Sequence, residues 1–256
     1  MIDTPQTRHE RPVRAEAGSP VAIPDYLRLY YPWAYVSGAA IRFWDHEGLV
    51  QGILFGQYGR LKRQVRRVFA CYPGSVLQIA CVYGSLSAEL VDALPAQASL
   101  TLVDVLAAQL RKAASKITDS RLHLVHADSR QLPLPGQSFR KVLSFFLLHE
   151  QPAEVRQQTV REALRVLHPQ GVWVIVDYDR PCAWHPCRPV VALSFRYLEP
   201  FAGDLWRQDL SSWIRALAPT VDIRKTSFFG GLYQVLEVRR SAGSTTYGQA
   251  GLPLPS

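Results

Sequence analysis

Downstream of Ser75 the chain alternates two kinds of hydrophobic pattern. Short runs rich in Val, Ile and Leu read as buried strands: Val76 to Cys81, Ser99 to Asp104, Leu122 to His126, Lys141 to Phe146 and Val172 to Tyr178. Amphipathic stretches of helical length separate them, near Ser87 to Leu94, Leu106 to Lys116 and Pro152 to Val166. The last is stopped by His168, Pro169, Gln170 and Gly171. Strands that alternate with helices assemble as parallel βαβ units with right-handed crossovers. Val221 to Ser227 and Tyr233 to Val238 flank Gly230 and Gly231, which predicts a tightly joined antiparallel pair. The pattern therefore describes an α/β protein with a seven-stranded, mostly parallel sheet that ends in an antiparallel hairpin.

Upstream of this pattern, Asp25 to Phe69 is helical in character and unusually aromatic, with Tyr26, Tyr30, Tyr31, Trp33, Tyr35, Phe43, Trp44, Phe55 and Tyr58. It reads as a helical cap on the sheet. Residues 1–24 and 241–256 mix Pro, Gly, Ser and charge without periodicity and read as flexible tails. One domain over residues 25–240 follows, with 25–70 as the cap and 71–240 as the α/β core.

Charge and composition narrow the partners. The chain has 29 Lys and Arg against 21 Asp and Glu, a balance that suits nucleic acid, an anionic membrane surface or an anionic small ligand. The basic residues Arg60, Lys62, Arg63, Arg66 and Arg67 share one predicted helix, for which a solvated face is the simplest reading. No nucleic-acid-binding module or basic tail is recognisable, so nucleic acid is not expected. Four cysteines in so long a chain, without a secretory leader pattern, point to a reducing, cytoplasmic setting. Cys182, His185 and Cys187 depart from zinc-knuckle spacing. No apolar run approaches the ~20 residues needed to cross a bilayer, so membrane contact, if made, is peripheral and at the inner face.

Ligands of open α/β sheets bind beyond the carboxyl ends of the strands, so the residues after each strand are the ones to inspect. After the first strand comes Ala80-Cys81-Val82-Tyr83-Gly84-Ser85-Leu86-Ser87. Twenty residues past Gly84 the second strand ends at Asp104, followed by Val105, a spacing at which an acid reaches ribose hydroxyls. The third strand leads to Ala127-Asp128-Ser129, where an acid can accept from an adenine amino group. Either acid alone would also fit a helix N-cap. Two at matching places behind a glycine turn favour a nucleoside.

The run Val76 to Ser87 resembles the first motif of the ubiquinone and menaquinone C-methyltransferases, which place an acid at Gln78 and a glycine at Val82. Ala127-Asp128 through Phe139, and Ala163 to Gly171, resemble later motifs of that group. The resemblance implies the class I S-adenosylmethionine-dependent methyltransferase fold, which is Rossmann-like. The nucleoside acids are kept while the amino-acid end of the pocket is altered, which implies a differently placed α-amino group. That pattern, with Val82-Tyr83-Gly84, Phe145 to Pro152, Asp177-Tyr178, Arg180-Pro181, Trp184-His185-Pro186, Leu198 to Phe201 and Asp204 to Arg207, resembles the rhodoquinone-biosynthesis family. The resemblance implies replacement of a ring methoxy group of ubiquinone by an amino group, with S-adenosylmethionine as amino donor and Mn2+ assisting. An ordinary methyltransferase acting on a quinone or another small molecule is the alternative.

These readings assign candidate residues. Cofactor contacts are expected from Tyr58, Gln78, Ala80, Val82, Tyr83, Gly84, Asp104, Val105, Asp128, Ser129 and Phe145. Tyr83, His149 and Asp177 are the catalytic candidates, with His149 as proton acceptor because an unperturbed imidazole titrates near working pH. Hard oxygen ligands with an imidazole suit manganese, so His149 and Asp177 are the expected metal ligands, with Glu150, Asp179 and His185 as alternates. Packing or turn-capping roles remain open for His149 and Asp177. The aromatic cap residues suit packing, a quinone site or a membrane interface.

Overall fold

The computed structural model describes residues 21–31 and 46–241. The tails, apart from residues 21–24 and Ser241, lie outside it, as do the cap aromatics Trp33, Tyr35, Phe43 and Trp44. Among the described residues three helices precede the sheet: α1 (Asp25–Tyr30), α2 (Glu47–Ile53) and α3 (Tyr58–Phe69). Then follow β1 (Val76–Ile79), α4 (Leu86–Asp92), β2 (Leu100–Asp104), α5 (Ala107–Lys116), β3 (Leu122–His126), β4 (Phe139–Phe145), a 3-10 turn at Leu148–Glu150, α6 (Ala153–Val166) and β5 (Leu167–Tyr178). The chain closes with α7 (Arg188–Tyr197), α8 (Asp204–Arg207), α9 (Leu210–Leu217), β6 (Val221–Phe228) and β7 (Tyr233–Arg240).

The seven strands form one sheet in the order β3-β2-β1-β4-β5-β7-β6. The first five are parallel, and β7 runs antiparallel between β5 and β6. Strand order reverses beside β1, so the carboxyl ends of β1 and β4 diverge and open a crevice there. Period-two alternation gives each face its own core. Val76, Leu100, Leu102, Leu143, Val172 and Val174 pack beneath α3 and α4, whereas Leu77, Ile79, Val103, Val142, Trp173 and Ile175 pack beneath α6 and α9. α3 places Leu61, Val65 and Val68 on the first face and leaves Arg60, Arg63, Arg66 and Arg67 in solvent, but Lys62, expected on the same solvated face, is buried.

Two sequence expectations are corrected. His168 to Gly171 do not form a helix stop, because α6 passes into β5 at Leu167 without a connecting loop. Gly171 serves a close approach of backbones: a Cβ there would lie 2.9 Å from the Arg140 carbonyl oxygen and 3.0 Å from its Cα. The β4–β5 register shifts between Phe139 and Lys141, opposite this glycine. The second correction is that helices α7 to α9 fill the β5–β6 connection, where the strand-helix alternation predicted no element. The Asp209 side chain caps α9 by accepting from the Ser212 amide at 2.8 Å.

The Gly171→Ala variant should lose about 1–3 kcal/mol of stability, since the contacted atoms are backbone and cannot yield. The check is a lower urea midpoint at unchanged slope. An unaltered midpoint would show that β4 and β5 slide apart without cost.

Candidate functional site

The connection from β1 to α4 is held in an unusual shape. Ala80 has φ +71°, in the left-handed region that costs a residue with a Cβ roughly 1–2 kcal/mol. β1 therefore ends at Ile79, earlier than the apolar run suggests. Gln78 is fully buried and its amide is used locally: Nε2 donates to the Ala80 carbonyl at 3.0 Å, and Oε1 accepts from Ser87 Oγ at 2.9 Å. Gly84, at φ +86°, is the one residue type that fits, because a Cβ would meet the Tyr58 hydroxyl oxygen at 2.6 Å.

Tyr58 stands behind this loop. Fully buried, it donates to the Tyr83 carbonyl at 2.9 Å and accepts from the Leu86 amide at 3.2 Å. Its hydroxyl thus pins the loop and does not face the cavity, which corrects its expected contact with a cofactor. The Tyr83 hydroxyl accepts from Gln109 Nε2 at 3.0 Å, and Lys116 Nζ donates to the Gly84 carbonyl at 2.8 Å. Buried Lys62 adds a brace by reaching Glu47 at 2.9 Å, Ser85 at 2.7 Å and Glu89 at 2.5 Å.

Beyond β2 and β3 the two predicted acids line one cavity, together with Ala80, Cys81, Val105, Ser129, Gln151 and the α1 residues Tyr26 and Leu27. Asp104 is buried, and its oxygens each accept one backbone amide, from Cys81 at 2.7 Å and from Leu106 at 2.8 Å. The Cys81 side chain adds a further hydrogen bond, which leaves the carboxylate at least one of its roughly four acceptor sites. Burial pushes this carboxyl up, while the two amides oppose the shift. Asp128 is pinned by Arg130, at 2.7 and 2.9 Å to Oδ2. Ser129 shares a 2.8 Å hydrogen bond with Thr159 and accepts from Gln151 Nε2 at 3.1 Å, while Val105 meets His126 Nε2 through its carbonyl. The Gln151 Oε1 is buried without a hydrogen-bond partner among the described residues.

A second cavity of about 310 Å³ adjoins the first, sharing Cys81, Gln109, Phe146 and Glu150 in its walls. Val82, Tyr83, Phe145, Tyr178, Val50 and Leu54 make it largely apolar, and His149, Glu150 and Glu199 add charge. Phe146, at φ +52°, turns the chain here and sets its ring edge against His149 at 5.9 Å between centroids.

Asp177 lies fully buried at the end of β5. Its Oδ2 accepts from the Leu148 amide at 2.9 Å and the His149 amide at 3.3 Å. Its Oδ1 accepts from the Tyr178 amide and meets His149 Nδ1, both at 2.8 Å. Four partners exhaust the roughly four lone-pair sites of a carboxylate. This corrects the expected metal role of Asp177: it holds the imidazole and has no acceptor left for a cation. His149 Nε2 faces Glu199 Oε2 at 3.7 Å. Burial would lower the His149 pKa, but Asp177 first, then Glu199 and Glu150, push it up to about 9. That direction favours the imidazolium over the neutral ring. Burial pushes the Glu199 carboxyl up.

Donor atoms of His149, Glu150 and Glu199 lie within 4.8 Å of one another. The other alternates are not brought to them. Asp179 is paired with Lys225 at 2.9 Å, and His185 packs edge-on against Phe229 at 4.7 Å. Sequence reasoning placed Glu199 in a motif without giving it a role and passed over Gln109 and Gln151. Nothing in local spacing joins Glu199 to His149, since α7 lies between them and only the fold returns the chain.

The Ala80→Gly variant should gain about 0.5–1 kcal/mol in thermal or urea unfolding, because relief of the left-handed strain exceeds the added chain entropy. A loss would mean that packing of the Ala80 methyl outweighs its strain.

Comparison with known proteins follows this geometry. Residues 76–171 match a family profile described as a methyltransferase domain. A demethylmenaquinone methyltransferase of Listeria monocytogenes serotype 4a is 25% identical over 199 residues, 75% of this chain and 78% of that protein. The ubiquinone/menaquinone biosynthesis C-methyltransferase of Pseudomonas putida is 28% identical over 179 residues, 68% of each chain. Among solved structures, a SAM-dependent methyltransferase from Aquifex aeolicus superposes with a TM-score of 0.52 at 13% identity, over 79% of this chain and 97% of that one. The chain has the class I S-adenosylmethionine-dependent methyltransferase fold and is related in sequence to quinone C-methyltransferases.

Proposed function

We propose that this protein is an S-adenosylmethionine-dependent enzyme acting on the ring of a lipid-soluble quinone. We further propose that it replaces a ring methoxy group of ubiquinone, which leaves as methanol, with the amino nitrogen of S-adenosylmethionine, whose bond to its α-carbon breaks after the ring C–N bond has formed, to give rhodoquinone. The observation that carries this reading is the division within the pocket. Asp104 and Asp128 keep acceptors for a nucleoside, and Gln151 Oε1 adds a buried acceptor beside them. The amino-acid end has changed: neutral Gln78 is turned to its neighbours Ala80 and Ser87, Val82 projects where the resemblance places a glycine, and Lys116 reaches the loop carbonyl of Gly84. An α-amino group denied its usual partners is free to be directed toward the second cavity, whose walls are shared with the first.

In that cavity the chain's own groups suit attack by an amine on an electron-poor ring. The ring packs among Phe145, Phe146 and Tyr178. Charged His149, held by Asp177, donates from Nε2 to the ring oxygen on which negative charge develops. The buried Glu199 Oε2, which has no hydrogen-bond partner among the described residues, fits a cation. Where His149 is neutral, its Nε2 with Glu150 and Glu199 would hold Mn2+ there, and a bound ion would supply Lewis-acid stabilisation of the ring oxygen in place of the imidazolium.

A second reading, methyl transfer to a quinone ring carbon, is favoured by the methyltransferase-domain match and by the names of the related proteins. One experiment separates the two. Purified protein is given ubiquinone, Mn2+ and S-adenosylmethionine labelled with nitrogen-15 at the amino group and carbon-13 at the methyl group, and the quinone is analysed by mass spectrometry. Nitrogen-15 in the ring substituent is the expected result. Carbon-13 without nitrogen-15 would establish methyl transfer instead. Asp104→Ala should weaken S-adenosylmethionine binding by about 1.5–3 kcal/mol, ten-fold or more, in calorimetry. Glu199→Gln should weaken Mn2+ binding at least roughly ten-fold in titrations followed by electron paramagnetic resonance, with S-adenosylmethionine affinity retained. Unchanged Mn2+ affinity would remove Glu199 from the metal site.

A further inference from the structure

Helix α7 has two apolar faces. Val191 and Phe195 point into the protein, whereas Val190, Leu193 and Tyr197 are exposed, the last at 69%. At the helical repeat of roughly 100° per residue those three side chains fall within an arc of about 60°. Ser194 and Leu198, which line the second cavity, lie on the helix between the exposed stripe and the buried one. Trp184, just ahead of the helix, is 92% exposed. Leu198 and Ile53 are both exposed and part of the cavity wall, so the apolar surface continues into the apolar interior.

The charges around this stripe have one sign. From Arg180 to Leu198 the chain contains Arg180, Arg188 and Arg196 and no Asp or Glu. Arg196 lies over the Tyr197 ring at 5.7 Å, at the margin of the stripe. A helix with aliphatic, Tyr and Trp side chains outward, with Arg196 at their margin and no acid within residues 180–198, matches a bilayer interface, where aromatic rings sit at headgroup depth and guanidinium groups meet lipid phosphates.

We propose that α7 and Trp184 dock this protein on an anionic phospholipid bilayer, so that a lipid-soluble substrate passes between Ile53 and Leu198 into the cavity without crossing water. The occupant of the stripe is the lipid surface. This rests on the reading of the substrate as a lipid-soluble quinone, but the docking is measured without any quinone.

The full chain is sedimented with phosphatidylcholine vesicles that contain or lack phosphatidylglycerol. Binding is expected to anionic vesicles, to fall as salt rises, and to drop at least ten-fold in the Leu193→Asp/Tyr197→Asp double variant. Both positions are exposed, so the variant should keep its circular dichroism and its S-adenosylmethionine affinity. It should also keep turnover on a quinone with a short, water-soluble tail. Equal vesicle binding by variant and parent, or none by either, would overturn the proposal. So would a parent dimer that the variant breaks into monomers, which would assign the stripe to a second copy. Vesicle binding without quinone turnover would instead sink the proposed reaction and leave the docking surface standing.

Discussion

A carboxylate removed from water must have every lone pair met by a donor, and Asp177 meets that condition with three backbone amides and one imidazole nitrogen. Those partners come from the turn after β4 and from the end of β5 itself. One side chain thus fixes how two neighbouring strands finish, and with them the orientation of His149. The Phe146 backbone, strained at φ +52°, is held between the Val176 carbonyl and a ring cluster with Tyr178 and Tyr233. Strain of this kind persists where surrounding contacts over-determine it, and here those contacts belong to the wall of the apolar cavity.

The other half of the site depends on a different economy of hydrogen bonds. A glycine-rich turn normally reaches its shape at little steric cost, but Ala80 occupies the same region of backbone space with a methyl group attached. The loop keeps its form because neighbours bind it from three sides: Gln78 from within β1, Tyr58 from the cap, and Gln109 and Lys116 from α5. The cap is therefore part of the cofactor loop's support as well as a cover for the sheet.

The strands and the positions of Asp104 and Asp128 at their ends were legible because short β-rich apolar runs and strand-end acids are local signals, readable within a few residues. Gly171 misled because a glycine after a helix has two physical uses, a left-handed cap or a close approach of backbones, and sequence spacing does not separate them. Tyr58 was expected at the cofactor, and its hydroxyl instead bonds to the backbone of the loop after β1. Its distance from the loop along the chain hides that the hydroxyl faces backbone. Glu199 and Asp177 illustrate the limit most clearly: whether a buried acid is a ligand or a support depends on how many donors already surround it, and those donors come from distant elements.

Lys62 joins residues that otherwise belong to separate machinery, Glu47 on the cap helix α2 and Ser85 and Glu89 on the loop and helix after β1. Its ammonium is buried, so if α2 moved away alone Lys62 would lose Glu47 and keep Glu89 and Ser85 as its partners. Val50 and Leu54 on and just after α2 form part of the cavity wall. The cap and the loop therefore behave as one lever with a charged hinge pin.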